Sequence, residues 1–226
     1  MRPVLTTFLT ILLFTIGSNI TNTVNTYFYT YVMNNLPLMS LITVVSLITL
    51  LPAIMVSGRL IVKYGKKKMY LIGLLIMSCS ALVRLINVRS VPVLILSSLV
   101  SGIGSAFVIT LNYGIQADNT DYVELQTGYR AEGAVSSLSS FISKFAAGIG
   151  GAIPGYMLAA AGFESTAAVQ SPSVITTIIF CVIILPALFD FIGVAIFGKG
   201  YPLNKEKLEE QNAQLLALHE TREAGE

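Results

Sequence analysis

Ser136-Ser137-Leu138-Ser139-Ser140-Phe141-Ile142-Ser143-Lys144-Phe145-Ala146-Ala147-Gly148-Ile149-Gly150-Gly151-Ala152-Ile153-Pro154-Gly155 is an apolar run long enough to cross a bilayer, and it carries one lysine near its middle. Ser137, Ser140, Lys144, Gly148, Gly151 and Gly155 recur at steps of three or four, so a helix places them on one face. That face is hydroxylated at one end, cationic in the middle and bare at the other. A lone ammonium at mid-bilayer costs roughly 2.5–3.5 kcal/mol on insertion scales, so it is expected to face a cavity or a partner and not lipid. The reading that follows is a lysine on a water-filled path, with glycines leaving room beside it.

The surrounding chain is of the same kind. Its 226 residues are 54% hydrophobic and only 12% charged, where soluble domains carry about 25% charged residues. Mean hydropathy is +0.75. These values imply an all-α integral membrane protein lying in a lipid bilayer. The net charge of +2 carries no signal for nucleic acid, since the basic residues gather in one loop and at chain ends, and no nucleic-acid partner is expected. Cys79 and Cys181 both sit inside apolar runs and read as small hydrophobes, not as a disulfide or metal pair.

Six apolar segments, 4–33, 38–57, 69–87, 91–116, 134–161 and 174–198, are long enough to span. They make a transmembrane domain over residues 1–201, followed by a polar tail over 202–226. The tail places Leu208, Leu215, Leu216 and His219 on one helical side and is expected to lie loosely on the membrane surface or to stay mobile. Pro52, Pro154 and Pro186 fall within spans, where proline kinks a helix. The loop 58–68 holds Arg59, Lys63, Lys66, Lys67 and Lys68, which assigns it to the cytoplasm. Alternation then puts the loop 117–133, the tail and both termini on the cytoplasmic side. Arg84 and Arg89 fall on the outer side, where they can snorkel to headgroups.

Candidate polar sites follow from this layout. In the first span Thr15, Asn19, Asn22, Thr26 and Tyr29 form one stripe, suited either to interhelical hydrogen bonds or to a polyol. Asn112 follows the small-residue stretch 101–106 of the fourth span and is placed to reach the cavity of Lys144 or to serve helix packing. In the loop 117–133, Arg130 is an ionic latch candidate, pairing with Asp118 or Asp121 in one conformation and releasing in another. Asp190 in the sixth span is either a proton or cation ligand or an interfacial partner for a basic loop residue. No metal site is expected. Neither His-Glu-x-x-His nor Gly-x-Ser-x-Gly occurs, so an enzyme is not expected.

Ala117-Asp118, Asp121-Tyr122, Glu124, Thr127-Gly128, Arg130-Ala131-Glu132-Gly133 and Lys144 eleven residues on resemble the signature of the glycoside–pentoside–hexuronide:cation symporters, the group that includes the melibiose permease. Tyr27-Phe28-Tyr29-Thr30-Tyr31-Val32 resembles the aromatic run in that family's seventh helix. The resemblance spans positions 4 to 198. It implies a major facilitator fold, of which this chain is the C-terminal half, six helices built as two inverted three-helix repeats. It also implies cation-coupled uptake of a sugar or glycoside by alternating access across the plasma (inner) membrane, with no cofactor beyond a coupling Na+ or H+. That ion is bound mainly by the absent half, because the family's acidic ligands lie there. The expected substrate-binding set is Lys144, Asn19, Asn22, Thr26 and Asn112. The expected cytoplasmic gate is Asp118, Asp121, Glu124, Arg130, Glu132 and Arg59. The expected partner is an N-terminal six-helix half or a second copy, and the competing expectation is a non-transporting fragment or scaffold remnant.

Overall fold

The computed structural model describes residues 2–167 and 169–223. Every regular element among them is helical. Helix α1 (Arg2–Tyr27) runs on through a π-helical turn, Phe28–Val32. Helix α2 (Leu38–Tyr64) is followed by α3 (Lys66–Val83), which tightens into a 3-10 turn at Arg84–Ile86. Then come α4 (Val91–Thr127) and α5 (Glu132–Ala160). Helix α6 (Pro172–Ile179) joins α7 (Leu185–Gly200) through a second π-helical turn, Phe180–Ile184. Helix α8 (Lys205–Glu223) ends the described chain.

Local chemistry sets several of these boundaries. Ser171 caps α6 by accepting the Val174 N–H at 3.4 Å, and Pro172 follows at the first helical position, where its missing N–H costs nothing. Pro186 cannot donate into the turn before it, and the chain widens there into the π-helical turn instead of breaking. Gly128 ends α4 at φ 76°, a left-handed conformation open to glycine.

Two boundaries differ from the sequence reading. The segment expected as a loop at 58–68 is helical on both sides of Gly65, whose φ of 86° makes the whole reversal in one residue. Most of the expected loop 117–133 is also helical, because α4 continues to Thr127. At 37 residues α4 is about 55 Å long, well beyond a roughly 30 Å hydrocarbon core, so its last turns stand clear of the membrane.

Among the described residues five helical bodies are long and apolar enough to cross a membrane: Arg2–Val32, Leu38–Tyr64, Lys66–Ile86, Val91–Thr127 and Pro172–Gly200. The chain is a multi-pass membrane protein. The sequence reading counts a sixth span at 134–161. That segment does form the 29-residue α5, but its serines, glycines and Lys144 keep it below the apolarity of the other five.

Helix α1 packs against α5 and α7, α4 packs against α2 and α3, and α3 packs against α7. Small residues set the close approaches. A Cβ on Gly150 of α5 meets Asn19 Cβ at 2.5 Å and Ile16 O at 2.9 Å. A Cβ on Gly104 of α4 meets Gly73 O at 2.8 Å, and one on Gly102 meets Ser46 O of α2 at 2.5 Å. One core joins Ile20, Val24 and Phe28 of the α1 body to Ile178 and Ile183. Another joins Tyr70, Leu74, Leu111 and Phe197. Along α2 only Ile42 and Ser57 are buried, so its apolar face is left to lipid or to a partner.

The tail also departs from expectation. Instead of lying loose, α8 docks on the end of α4. Leu208 joins the Tyr70–Phe197 core, Gln211 is buried, and its Nε2 donates to the Asp118 carbonyl at 2.9 Å. Part of the tail reading, residues 224–226, lies outside the described residues.

Candidate functional site

Lys144 lies mid-way along α5, exposed, with no ion pair among the described residues. It borders a cavity of about 450 Å3 between α1, α4 and α5, together with Thr15, Asn112, Tyr113, Gln116, Ser139, Ser140 and Ser143. The arrangement follows from helical periodicity. Asn112 and Gln116 are four apart on α4, and Ser140 and Lys144 are four apart on α5, so each pair projects from one face. Asn112 is held from behind, its Oδ1 accepting the Tyr70 hydroxyl at 2.9 Å. Among the described residues its amide nitrogen has no partner. The Ser139 hydroxyl is within reach of Gln116 Oε1 at 2.5 Å and of the Val135 carbonyl at 2.9 Å, which ties α5 to α4 along one wall. The cavity therefore offers an ammonium, amides and hydroxyls along a wall shared by α1, α4 and α5, a donor-rich set for a polyhydroxylated ligand.

The structure thus brings Lys144 and Asn112 together, with Thr15 of the polar stripe beside them. It does not bring Asn19, Asn22 and Thr26 to that cavity. The Asn19 amide donates to the Thr15 carbonyl at 2.8 Å, and its Cβ packs on Gly150. Asn22 borders a different cavity, and Thr26 is exposed away from both. The stripe is real as a periodicity, but α1 is embraced by α5 on one side and α7 on the other, so its polar residues are shared between environments. The glycines are likewise divided. Gly148, Gly151 and Gly155 have nothing within 4 Å of a Cβ position, and Gly150, one register off their face, makes the tight contact.

A second cluster sits where α4 leaves the membrane. Lys66 Nζ pairs with Asp118 Oδ1 at 2.6 Å. Arg130 reaches Glu124 at 3.1 Å, Asp121 at 3.4 Å and Glu132 at 3.4 Å. Its pKa is raised, first by the hydrogen bond to Glu124 and then by that to Glu132. Glu124 also faces His219 Nε2 of α8 at 3.0 Å. Of the two latch partners considered for Arg130, Asp121 is the one engaged, and Asp118 is occupied by Lys66. Arg59 is exposed on α2 and has no ion pair among the described residues.

Lys66, Gln211 and His219 join this cluster without a signal in the sequence, because each meets it from an element far along the chain. Gln116 was legible only as a member of the face that carries Asn112, and Ser139, five residues before Lys144, lies off the lysine's face and had no such signal. Arg84, read as snorkelling outward, turns inward: its Nε donates to Ser97 Oγ at 2.9 Å and a terminal nitrogen to Ser98 Oγ at 3.4 Å. Asp190 is buried and has no basic partner among the described residues, so it is not the interfacial partner of a loop lysine.

The family model described as MFS/sugar transport protein matches residues 1–205. The glucuronide carrier protein homolog of Escherichia coli (strain K12) is 32% identical over 81% of this chain and 40% of its own length. The isoprimeverose transporter of Lactiplantibacillus pentosus is 32% identical over 90% of this chain and 43% of its own. The raffinose carrier protein of Pediococcus pentosaceus is 24% identical over 90% of this chain and 32% of its own. The chain thus spans less than half the length of these relatives.

Proposed function

Because this chain belongs to the MFS/sugar transport protein family, whose members include the melibiose-permease-like symporters and are carriers and not enzymes, we propose that it forms one half of a cation-coupled sugar or glycoside carrier. In this reading Lys144, Asn112, Thr15 and Gln116 are one wall of the substrate path. The other wall, and the main site for a coupling Na+ or H+, come from an N-terminal six-helix half or a second copy. The observation that carries it is the Lys144 ammonium, exposed and without a counter-ion among the described residues, bordering a donor-rich cavity inside a membrane bundle.

The helix pairings support a half-carrier made of two inverted repeats. Exchanging α1, α2 and α3 for α4, α5 and the α6–α7 body turns α1–α5 into α4–α2 and α1–α7 into α4–α3, and leaves α3–α7 as it is. Each of those contacts is present. With α2 and α3 crossing between them, α1 and α4 run in opposite directions, so with α5 as a sixth span the exchange is an inversion. The basic residues Arg59, Lys63, Lys66, Lys67, Lys68, Lys199, Lys205 and Lys207 favour a cytoplasmic α2–α3 end and cytoplasmic termini, and the same reading puts the carrier in the plasma membrane. The Arg130 cluster then lies on the cytoplasmic face and serves as a gate. It holds α4, the α4–α5 turn and α8 together in the form seen here, and it opens when the halves rock.

The test is uptake of a labelled glycoside by cells making this chain alone, or together with the N-terminal half of a family member. Uptake is expected only from the pair. Lys144→Ala is expected to weaken sugar affinity roughly 10- to 150-fold, the loss of one charge-assisted hydrogen bond of about 1.5–3 kcal/mol, with insertion unchanged. Unchanged affinity removes Lys144 from the site, and silence from the pair favours a non-transporting scaffold.

A further inference from the structure

A second cavity, of about 440 Å3, lies between α1, α3, α4 and α7. Of the residues bordering it and the Lys144 cavity, only Ile109 is common to both. Its wall carries hydroxyls and an amide, among them Ser18, Asn22 and Ser105, and two charged side chains, Arg84 and Asp190. The sugar reading uses neither of the two.

The two charges are separated along the bundle. Tyr70 of α3 and Phe197 of α7 pack with ring centroids 4.8 Å apart, which fixes the register of those helices. Arg84 is fourteen residues beyond Tyr70, about 21 Å, and Asp190 is seven residues before Phe197, about 10 Å. They therefore stand about 10 Å apart in height. Arg84, at the end of α3, is fastened to Ser97 and Ser98 at the mouth remote from α8. Asp190 lies deeper, 7% exposed. Among the described residues its carboxyl has no hydrogen bond and no ion pair, though the cavity is lined with groups able to donate.

An ionised carboxylate withdrawn from water without a partner is strongly disfavoured against its neutral form. A metal ion there needs several oxygens converging on one point, and among the described residues no hydroxyl or amide hydrogen-bonds Asp190. A proton needs only the carboxyl itself. Among the described residues the titratable and charged groups that face Asp190 or its cavity are Arg84 and Tyr70, both from the α3 body. Helices α1 and α4 present only uncharged side chains to the cavity. We propose that Asp190 is a proton-binding site belonging to this chain itself, reached through the Arg84-guarded cavity and separate from the Lys144 path. It requires only the membrane-embedded bundle, so it stands or falls independently of the sugar reading.

The test is the infrared carbonyl band of protonated carboxyls, followed across pH on the purified full chain in lipid nanodiscs. The wild-type chain is expected to keep a band, well above the pH at which surface carboxyls lose theirs, that Asp190→Asn lacks and whose full height equals one carboxyl per chain. In case Asp190→Asn does not fold, Asp190→Glu is expected to keep the band at a shifted frequency. Arg84→Gln is expected to move the titration of that band to higher pH, because a nearby cation favouring the carboxylate is gone. Identical wild-type and Asp190→Asn spectra at every pH overturn the proposal. So does loss of the band on adding sodium chloride, but not choline chloride, at constant pH, which makes the site a sodium site.

Discussion

Two glycines about 3 Å of helix rise apart on α5 are expected to respond in opposite ways to the same methyl group. An alanine at Gly150 places its Cβ 2.5 Å from Asn19 Cβ, 2.9 Å from Ile16 O and 3.3 Å from Ile20 N. Ordinary contact with a carbon begins near 3.4 Å, so the helices must part by close to 1 Å. The obstacle is backbone and the root of a side chain, not a flexible tip that can swing away. Overpacking of this kind costs about 1–3 kcal/mol. At about 2–4 °C per kcal/mol for a chain of this size, Gly150→Ala lowers the melting temperature by roughly 2–12 °C. At Gly148 the same methyl meets nothing within 4 Å, and the better helix propensity of alanine contributes about 0.5–1 kcal/mol. Gly148→Ala is thus neutral or raises the midpoint slightly. The assay is thermal unfolding of both variants and the parent in one detergent, followed by loss of the monodisperse chromatographic peak. Equal shifts for the two variants, or a larger loss at Gly148, refute the α1–α5 packing described here. They also undermine the cavity shape, since that contact sets how far Thr15 stands from Lys144.

The remaining predictions concern the cluster where α4 leaves the membrane. Lys66→Met strips the buried Asp118 of its only ion-pair partner among the described residues, and should cost about 1–3 kcal/mol in the same melting assay; an unchanged midpoint dismisses the pair as a stabilising contact. Arg130→Gln removes three carboxylate contacts at the proposed gate, so turnover in the reconstituted pair should change while sugar affinity holds; equal kinetics reject the latch. Ending the chain after Asn204 should speed protease cleavage in the α4–α5 turn, because Gln211 and His219 no longer brace Asp118 and Glu124; an unchanged cleavage rate argues that α8 is a passenger.

The amino-acid sequence by itself determined that this is a helical membrane protein, because apolar run length and scarcity of charge answer directly to the bilayer. It also marked the two faces that matter, since a 3.6-residue period places Lys144 with Ser140 and Asn112 with Gln116 whatever lies around them. The signature at 117–144 was enough to point to the carrier family. Only the tertiary structure decided what those faces meet. Asn19, Asn22 and Thr26 shared a period with Thr15, but α5 and α7 clasp α1 from two sides and send them to different surroundings. Gly150, off the lysine's face, became the packing glycine, and Gly148 and Gly151 were left open. Gln211 and His219 reached Asp118 and Glu124 across more than ninety residues of chain. Periodicity fixes the direction of a side chain relative to its own helix axis. Helix rotation, register and long-range docking are set by the balance of contacts among all the helices together, and no local stretch encodes that balance.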